Sequence, residues 1–384
     1  MRIERITDRL RGAAQPWELA CFAWIPALLV GFTAWYELRN DASLGDMPIF
    51  RAASTAVIHG HSPYAAPNAH ALGGFDTFVY PPAAAYLFAP FAVVPYTAAK
   101  VAILALGVAS VLAALRLLDV RDWRCYGIAA ASAPVVNSLA LGAFSSFLVF
   151  GTALVWRLRD RPVPGGLAAA VTATVKLFLW PLGLWLIATR RLRAAAVCIV
   201  ATLVVVVGGW AAIGFAGLAT YPRLLHVLSQ VEAHRSFSIV ALFGLSGTAT
   251  TTVTALLCVG VVAAVIVSAR SADGDRRAFA VAVLGALVAT PVVWMHYYAL
   301  ILVPIALYRP RLSGLWFVPL ALWLTPSAYA EGATWRILLG LAAVGIAGAA
   351  AFGFGSPSLP RSAHRARRRD TSGIVETRPV RADG

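Results

Sequence analysis

The chain has 384 residues, 60% of them hydrophobic and 13% charged, against about 45–50% and about 25% in soluble domains. That balance excludes a soluble globular protein. Apolar runs that approach or pass the roughly 20 residues needed to cross a bilayer alternate with short arginine-bearing connectors, the pattern of an all-α polytopic membrane protein. The formal net charge of +15 would indicate nucleic acid in a soluble domain, but basic residues at span ends serve topology instead.

The start, MRIERITDRLRG, is basic like the head of a signal peptide. The apolar run that follows, about 17 to 36, has no small-x-small cleavage site and reads as a retained first span. Further candidate spans are 97–118, 125–140, 142–156, 165–175, 177–188, 194–215, 251–269, 278–294, 297–308, 314–330 and 334–354. With the first, these make about twelve transmembrane helices. Arg157, Arg159 and Arg161 precede the block 165–188, and Arg190, Arg191 and Arg193 follow it. Positive charge at both ends predicts a short hairpin with Lys176 at its apex.

With a cytoplasmic N-terminus, most lysines and arginines fall in inner connectors and in the C-terminal tail. Only Arg39, Arg51, Lys100, Lys176, Arg223, Arg235 and Arg336 lie on the outer side or at span mouths. Positive-inside asymmetry accounts for that skew, so the charge is an orientation signal and not a nucleic-acid footprint. The expected organisation is a cytoplasmic N-terminus over 1–16, a transmembrane domain over 17–354 and a basic, disordered cytoplasmic tail over 355–384. The tail is expected to lie against anionic membrane lipid.

The outer face of this plasma-membrane protein, toward the periplasm, holds the two long non-spanning stretches, about 37–96 and 216–250. Loops of that length are functional or disordered, and their aromatics and apolar periodicity argue against disorder. All histidines except His364 fall outside: His59, His61, His70, His226, His234 and His296. Cys21, Cys125, Cys198 and Cys258 each sit inside an apolar run without ligand spacing, which argues against a disulfide framework or structural zinc. No metal or other cofactor is expected; His59, His61 and His70 lack a carboxylate or cysteine partner at ligand spacing.

In the first outer loop, Ile49, Ala52, Ala53, Ala56 and Val57 recur at helical spacing until Gly60. A short helix along the membrane surface is predicted, with Asp46 at its N-cap or first turn. Two roles are open for Asp46: a cap held by free backbone N–H groups, or a base. A capping carboxylate would have a depressed pKa and be a weak base. Next, Phe78-Val79-Tyr80-Pro81-Pro82 forces extended backbone, since a residue before proline leaves the helical region. The apolar stretch that follows, ending at Pro95, is too short to span and predicts a re-entrant or interfacial helix.

Lys176 lies in AVTATVKLFLWP. An ionisable residue at membrane depth is a functional candidate, the alternative being a side chain that snorkels to the outer headgroups. In TPVVWMHYY, Trp294, His296, Tyr297 and Tyr298 stand at an outer span end, as site residues or as an interfacial belt. The only outer acids are Glu37, Asp41, Asp46, Asp76, Glu232 and Glu331. The outer loops contain no Asp-x-Asp, the metal clamp that nucleotide-sugar chemistry uses.

These stretches, LGDMPIFRAASTAVIHGHSPY, then FDTFVYPP, the internal lysine and TPVVWMHYY, resemble the actinobacterial polyprenyl-phosphomannose-dependent alpha-mannosyltransferases. That family belongs to the GT-C class of integral-membrane glycosyltransferases. The order and spacing of the stretches carry the resemblance, which extends over nearly all of the spanning region. It implies that Asp46 is the catalytic acid residue of the family, that His296 is the first histidine of its late motif, and that Gly60 and Tyr64 form its turn. Tyr80, Pro81 and Pro82 match the proline run and Lys176 the mid-chain lysine. The chain departs from the family at Gly142-Ala143, where many members have Gly-Gln, and at Tyr297, where a second histidine stands.

The resemblance further implies inverting transfer of mannose from a polyprenyl-phosphate-mannose donor to a lipid-anchored mannoside of phosphatidylinositol mannoside or lipomannan type, forming an alpha-1,2 linkage. Asp46 and His296 are then the catalytic candidates. Lys176, Tyr80, Arg51, His59 and Tyr64 are candidates for binding donor or acceptor, as are Trp294, Tyr297, His234 and Arg235. Two other readings stay open: a polyprenyl-phosphate arabinofuranosyl donor, and a lipid or solute transporter, against which stands the lack of repeated halves.

Overall fold

A computed structural model describes residues 15–40, 44–64, 77–325, 327 and 329–351. Asp41, His70, Asp76 and both terminal segments lie outside these residues. Among the described residues the regular structure is entirely helical. Each of the twelve apolar stretches is helical, but lengths differ from the expected spans. Four helices are long and apolar enough to cross a bilayer: Pro16–Arg39, Tyr96–Leu117, Leu192–Ala212 and Gly247–Ala269. A fifth span exists if Ala133–Leu141 and Ser145–Leu158, bent by 119°, count as one. The others include Pro162–Val175, Leu177–Ala188, Met295–Tyr308 and Gly314–Leu324, all shorter than 18 residues. Twelve full-length spans are therefore not what this set of helices shows.

The breaks have local causes. Pro134, in the first turn of Ala133–Leu141, follows the extended Ser132 and splits the run expected over 125–140. Gly142 then ends that helix at φ +63°, a left-handed conformation that disfavours any residue with a Cβ. Exposed apolar side chains such as Leu28, Val204 and Leu256 cover the long helices, so these present hydrocarbon outward as lipid-embedded helices do. Pro162–Val175 packs along Leu192–Ala212, with Gly166 against the Ala194 carbonyl where a Cβ would not fit.

At one end of the bundle the arginine-bearing connectors meet. Arg191 pairs with Asp160 at 2.9 Å and with Asp275 at 2.6 Å, and Arg159 reaches Asp275 at 3.1 Å. These bonds close the 162–188 hairpin at its base. The Arg121 N–H donates to the Pro310 carbonyl, the Leu312 N–H to Asp122, and Arg276 to the Leu307 carbonyl. The connectors around 120, 160, 190, 275 and 310 thus share one end, as the charge asymmetry requires. The sequence does hold one Asp-x-Asp, Asp273-Gly274-Asp275, but it lies here, with the Asp275 carboxylate between two arginines.

Candidate active site

The opposite end is built around the start of the first loop helix, Asp46–Ile58. Lys100, buried in the Tyr96–Leu117 helix, donates to the carbonyls of Glu37 and Asn40 at 2.9 and 2.7 Å. The Glu37 carboxylate in turn accepts the Leu44 N–H at 3.0 Å. These bonds fix the turn before the helix. Phe50 anchors the helix body, ringed by Phe78, Tyr80, Phe88 and Phe144 at centroid distances of 4.7–5.7 Å. The buried face is Met47, Phe50, Ala53, Ser54 and Val57, rotated from the predicted one: Ala52 is exposed and Ile49 turns to the site.

Asp46 is the first residue of this helix, after Gly45 at the N-cap, and no hydrogen bond to its carboxylate contributes to its electrostatics. Expected as a possible cap with a depressed pKa, it is neither. Burial pushes its carboxyl up from 3.8 to about 6, with the ammonium of Lys176 pulling the other way. Desolvation disfavours the charged form, and the nearby cation recovers only part of the cost.

Lys176 occupies the break in the hairpin, extended at φ −138° and ψ 104° between Pro162–Val175 and the turn Leu177–Leu179. It does not snorkel: it is 4% exposed, and Nζ donates to the hydroxyls of Tyr80 at 2.8 Å and Tyr297 at 2.6 Å. The same nitrogen sits 4.4 and 4.2 Å from the two ring centroids, where the ring quadrupoles favour a cation. Tyr297 stacks on Phe178 at 5.0 Å.

Tyr80 is set by its own backbone. Its carbonyl accepts the Tyr64 hydroxyl at 2.7 Å, the Val79 carbonyl accepts that of Tyr221 at 3.0 Å, and Pro81-Pro82 launches the helix Pro82–Val93. This twelve-residue helix, with Pro90 inside it, is the predicted short segment. His296 is the second residue of the turn Met295–Ile301, which follows the extended Trp294. It is buried, and neither ring nitrogen has a hydrogen-bond partner.

Asp46, Lys176, Tyr80, His296, Tyr297 and Trp294 line one cavity of about 330 Å³. The other sequence candidates lie off it. Arg51 is spent on the Phe91 and Val94 carbonyls at 2.6 and 2.9 Å, tying the helices Asp46–Ile58 and Pro82–Val93 together. His59 is exposed past the helix C-terminus, bonded to the Thr55 carbonyl. Tyr64 stands behind Tyr80, stacked on Trp210 at 5.2 Å. His234 is exposed, its carbonyl taking the Gly332 N–H. Arg235 lies behind the wall, 3.9 Å from Glu232. Among the described residues no three His, Cys, Asp or Glu side chains gather to hold a metal.

Sequence reading missed Glu232, Tyr221 and Tyr329 as lining residues. The signal was present for two of them. Tyr221, Leu225, Leu228 and Glu232 recur at helical spacing along Tyr221–Val231 and its first residue beyond, so one face of this amphipathic helix forms the cavity wall. Glu232 is 2% exposed. Burial raises its pKa, opposed by Arg235 and His234.

The sequence model of glycosyltransferase family 87 matches residues 78–295, more than half of the chain. Tyr80, Lys176, Glu232 and Trp294 fall within the match, and Asp46 and His296 outside it. Comparison with curated proteins and with solved structures finds no match.

Proposed function

Because the chain belongs to glycosyltransferase family 87, we propose that this membrane-embedded enzyme moves mannose from a polyprenyl-phosphate donor to a hydroxyl of a lipid-anchored mannoside on the periplasmic face. The observation that carries the reading is the pairing, across one cavity, of a carboxylate at Asp46 with an ammonium at Lys176 held by two tyrosine hydroxyls. One group can accept a proton while the other stabilises a leaving phosphate.

In the reaction, Asp46 takes the proton of the acceptor hydroxyl as that oxygen attacks the anomeric carbon from the face opposite the phosphate. The bond from the anomeric carbon to the phosphate oxygen breaks, and its electron pair leaves on polyprenyl phosphate. Lys176 faces the charge that develops there, in a wall that excludes water and so strengthens the interaction. Tyr80 and Tyr297 keep its ammonium aimed. His296, with both ring nitrogens unpartnered, orients the acceptor hydroxyl toward Asp46. Inversion turns a beta-linked mannosyl phosphate into an alpha-mannoside, and an alpha-1,2 bond is the expected linkage.

The test is transfer by the purified protein in lipid nanodiscs, with radiolabelled polyprenyl-phosphomannose and an extract of envelope lipids. Label entering a mannolipid supports the reading. Transfer only from polyprenyl-phosphoarabinose would overturn the sugar, and no transfer from either donor would overturn the reaction.

A further inference from the structure

Glu232 is a carboxylate buried without an adequate partner. Its side chain is 3% exposed and its nearest cation, Arg235 Nη1, is 3.9 Å from Oε1, longer than a hydrogen bond. Oε2 has no hydrogen-bond partner. An unpaired buried oxygen of this kind is costly, more so on a charged group, and native structures retain such atoms where something else satisfies them. Glu232 lines the cavity, so that partner can arrive through it.

The neighbourhood is built to hold this oxygen in place. Phe237 N–H donates to the Val293 carbonyl at 2.9 Å, and Val293 N–H to the Ser236 hydroxyl at 2.8 Å. Ala330 N–H donates to the Arg235 carbonyl at 2.9 Å. These bonds knit the segments carrying Glu232, Trp294 and Tyr329 into one wall. The Trp294 ring meets Tyr329 edge-on at 5.5 Å and lines the same cavity, as does Ser229. A carboxylate acceptor in one cavity with an indole ring and a serine hydroxyl suits a pyranose, whose hydroxyls donate while its C–H face packs on an aromatic ring. It does not suit a phosphate, which Glu232 would repel.

We infer that Glu232, Trp294 and Ser229 form the acceptor-sugar subsite, in which Glu232 Oε2 accepts a hydrogen bond from a ring hydroxyl other than the one that reacts. This rests on the glycosyl-transfer reading and assigns the donor phosphate to the Lys176 side and the acceptor sugar to the Glu232 side. Glu232 is thereby a specificity-determining residue, choosing acceptors by a hydroxyl at one ring position.

The probe is octyl alpha-mannopyranoside with its monodeoxy analogues, added to the protein in nanodiscs. Binding is followed by tryptophan fluorescence without donor, and transfer from radiolabelled polyprenyl-phosphomannose. Glu232→Gln is expected to weaken probe binding and raise acceptor KM about 10- to 100-fold, the range of one hydrogen bond to a charged group, with donor KM held within about twofold. One monodeoxy analogue should bind the wild type about as weakly as the parent binds Glu232→Gln, and lose nothing further in that variant. Equal losses in donor and acceptor KM, or unchanged acceptor affinity, would overturn the subsite. If Glu232→Gln does not fold, the analogue series on the wild type decides: one dominant hydroxyl supports the subsite, and small losses spread over all positions overturn it. Selective binding without transfer from any donor would leave the subsite standing and sink the Asp46 reaction; transfer indifferent to Glu232→Gln would do the reverse.

Discussion

The Lys176 ammonium donates to the Tyr297 hydroxyl at 2.6 Å and lies 4.2 Å from its ring centroid, both side chains lining the same cavity. This is the position at which the resembling mannosyltransferases have a second histidine. The departure is thus part of the lysine's mount, with a hydroxyl that accepts from the ammonium and a ring that attracts it.

Removing that hydroxyl should be felt at the donor. Tyr297→Phe keeps the ring and the stack on Phe178 but loses a hydrogen bond to a charged group, worth about 1.5–3 kcal/mol. Donor KM is expected to rise about 10- to 100-fold, with acceptor KM little changed. Steady-state kinetics with each substrate varied in turn checks this; a rise confined to the acceptor would move Lys176 away from the phosphate.

Lys176→Met keeps length and apolar contacts and removes the charge. Loss of one preorganised group facing transition-state charge costs about 10²–10³-fold in kcat, so transfer should fall by that order and donor use should weaken with it. Undiminished turnover would leave Lys176 a structural pin between Tyr80 and Tyr297.

The Asp46 carboxyl, raised to about 6 by burial, sets the acid limb of the pH profile. A base works only ionised, so kcat/KM should fall as pH drops through about 6. The stability effect has the opposite sense. A carboxyl whose folded pKa is raised stabilises the fold fully below the unfolded value near 3.8 and loses that contribution as pH rises through about 6. Asp46→Asn should therefore melt at or above the wild-type temperature at pH 7.5, and the difference should close toward pH 4. Thermal melts across that range check it, and a variant less stable at pH 7.5 would contradict the raised carboxyl pKa.

Gly142 sits at φ +63° with Leu44 and Met47 close by, just before Asp46 begins its helix. Gly142→Ala should cost about 1–2 kcal/mol of backbone strain and lower the melting temperature. The added methyl meets Leu44 and Met47 at 3.4 and 3.5 Å, ordinary contact distances, so transfer should fall no further than the lost stability explains.

Topology is open to a direct check. In a cysteine-free background, a single cysteine at the exposed His59 should react with a membrane-impermeant maleimide in cells whose outer face alone is accessible. One at the exposed Arg190 should react only after the inner face is opened. The reverse pattern would invert the orientation drawn from the arginines.

Much of this was legible in the sequence because apolar runs and their breakers act locally. Pro81-Pro82 and Gly142 mark real helix boundaries, and the charges flanking 165–188 do close a hairpin with Lys176 at its break, whereas the break at Pro134 fell inside a run expected to be continuous. What failed to show is direction. The loop helix turned Ile49 to the cavity because Phe50 found four aromatic partners, all from outside its own helix. Arg51 and His234 share outer segments with true lining residues, yet face carbonyls or water. Glu232 was among the six outer acids, and its spacing from Leu228 placed it on the right face. Its burial depends on the Val293 and Ala330 contacts, which no local pattern encodes.

The central claim is that Asp46 is the base of a glycosyl transfer across this cavity. Membranes containing wild type or Asp46→Asn are supplied with radiolabelled polyprenyl-phosphomannose and envelope lipids, at matched protein levels and pH 7.5. The account predicts label in a mannolipid with the wild type and a loss of at least about 10²-fold with Asp46→Asn, the lower end of what general-base catalysis contributes. Equal label from both membranes would contradict it.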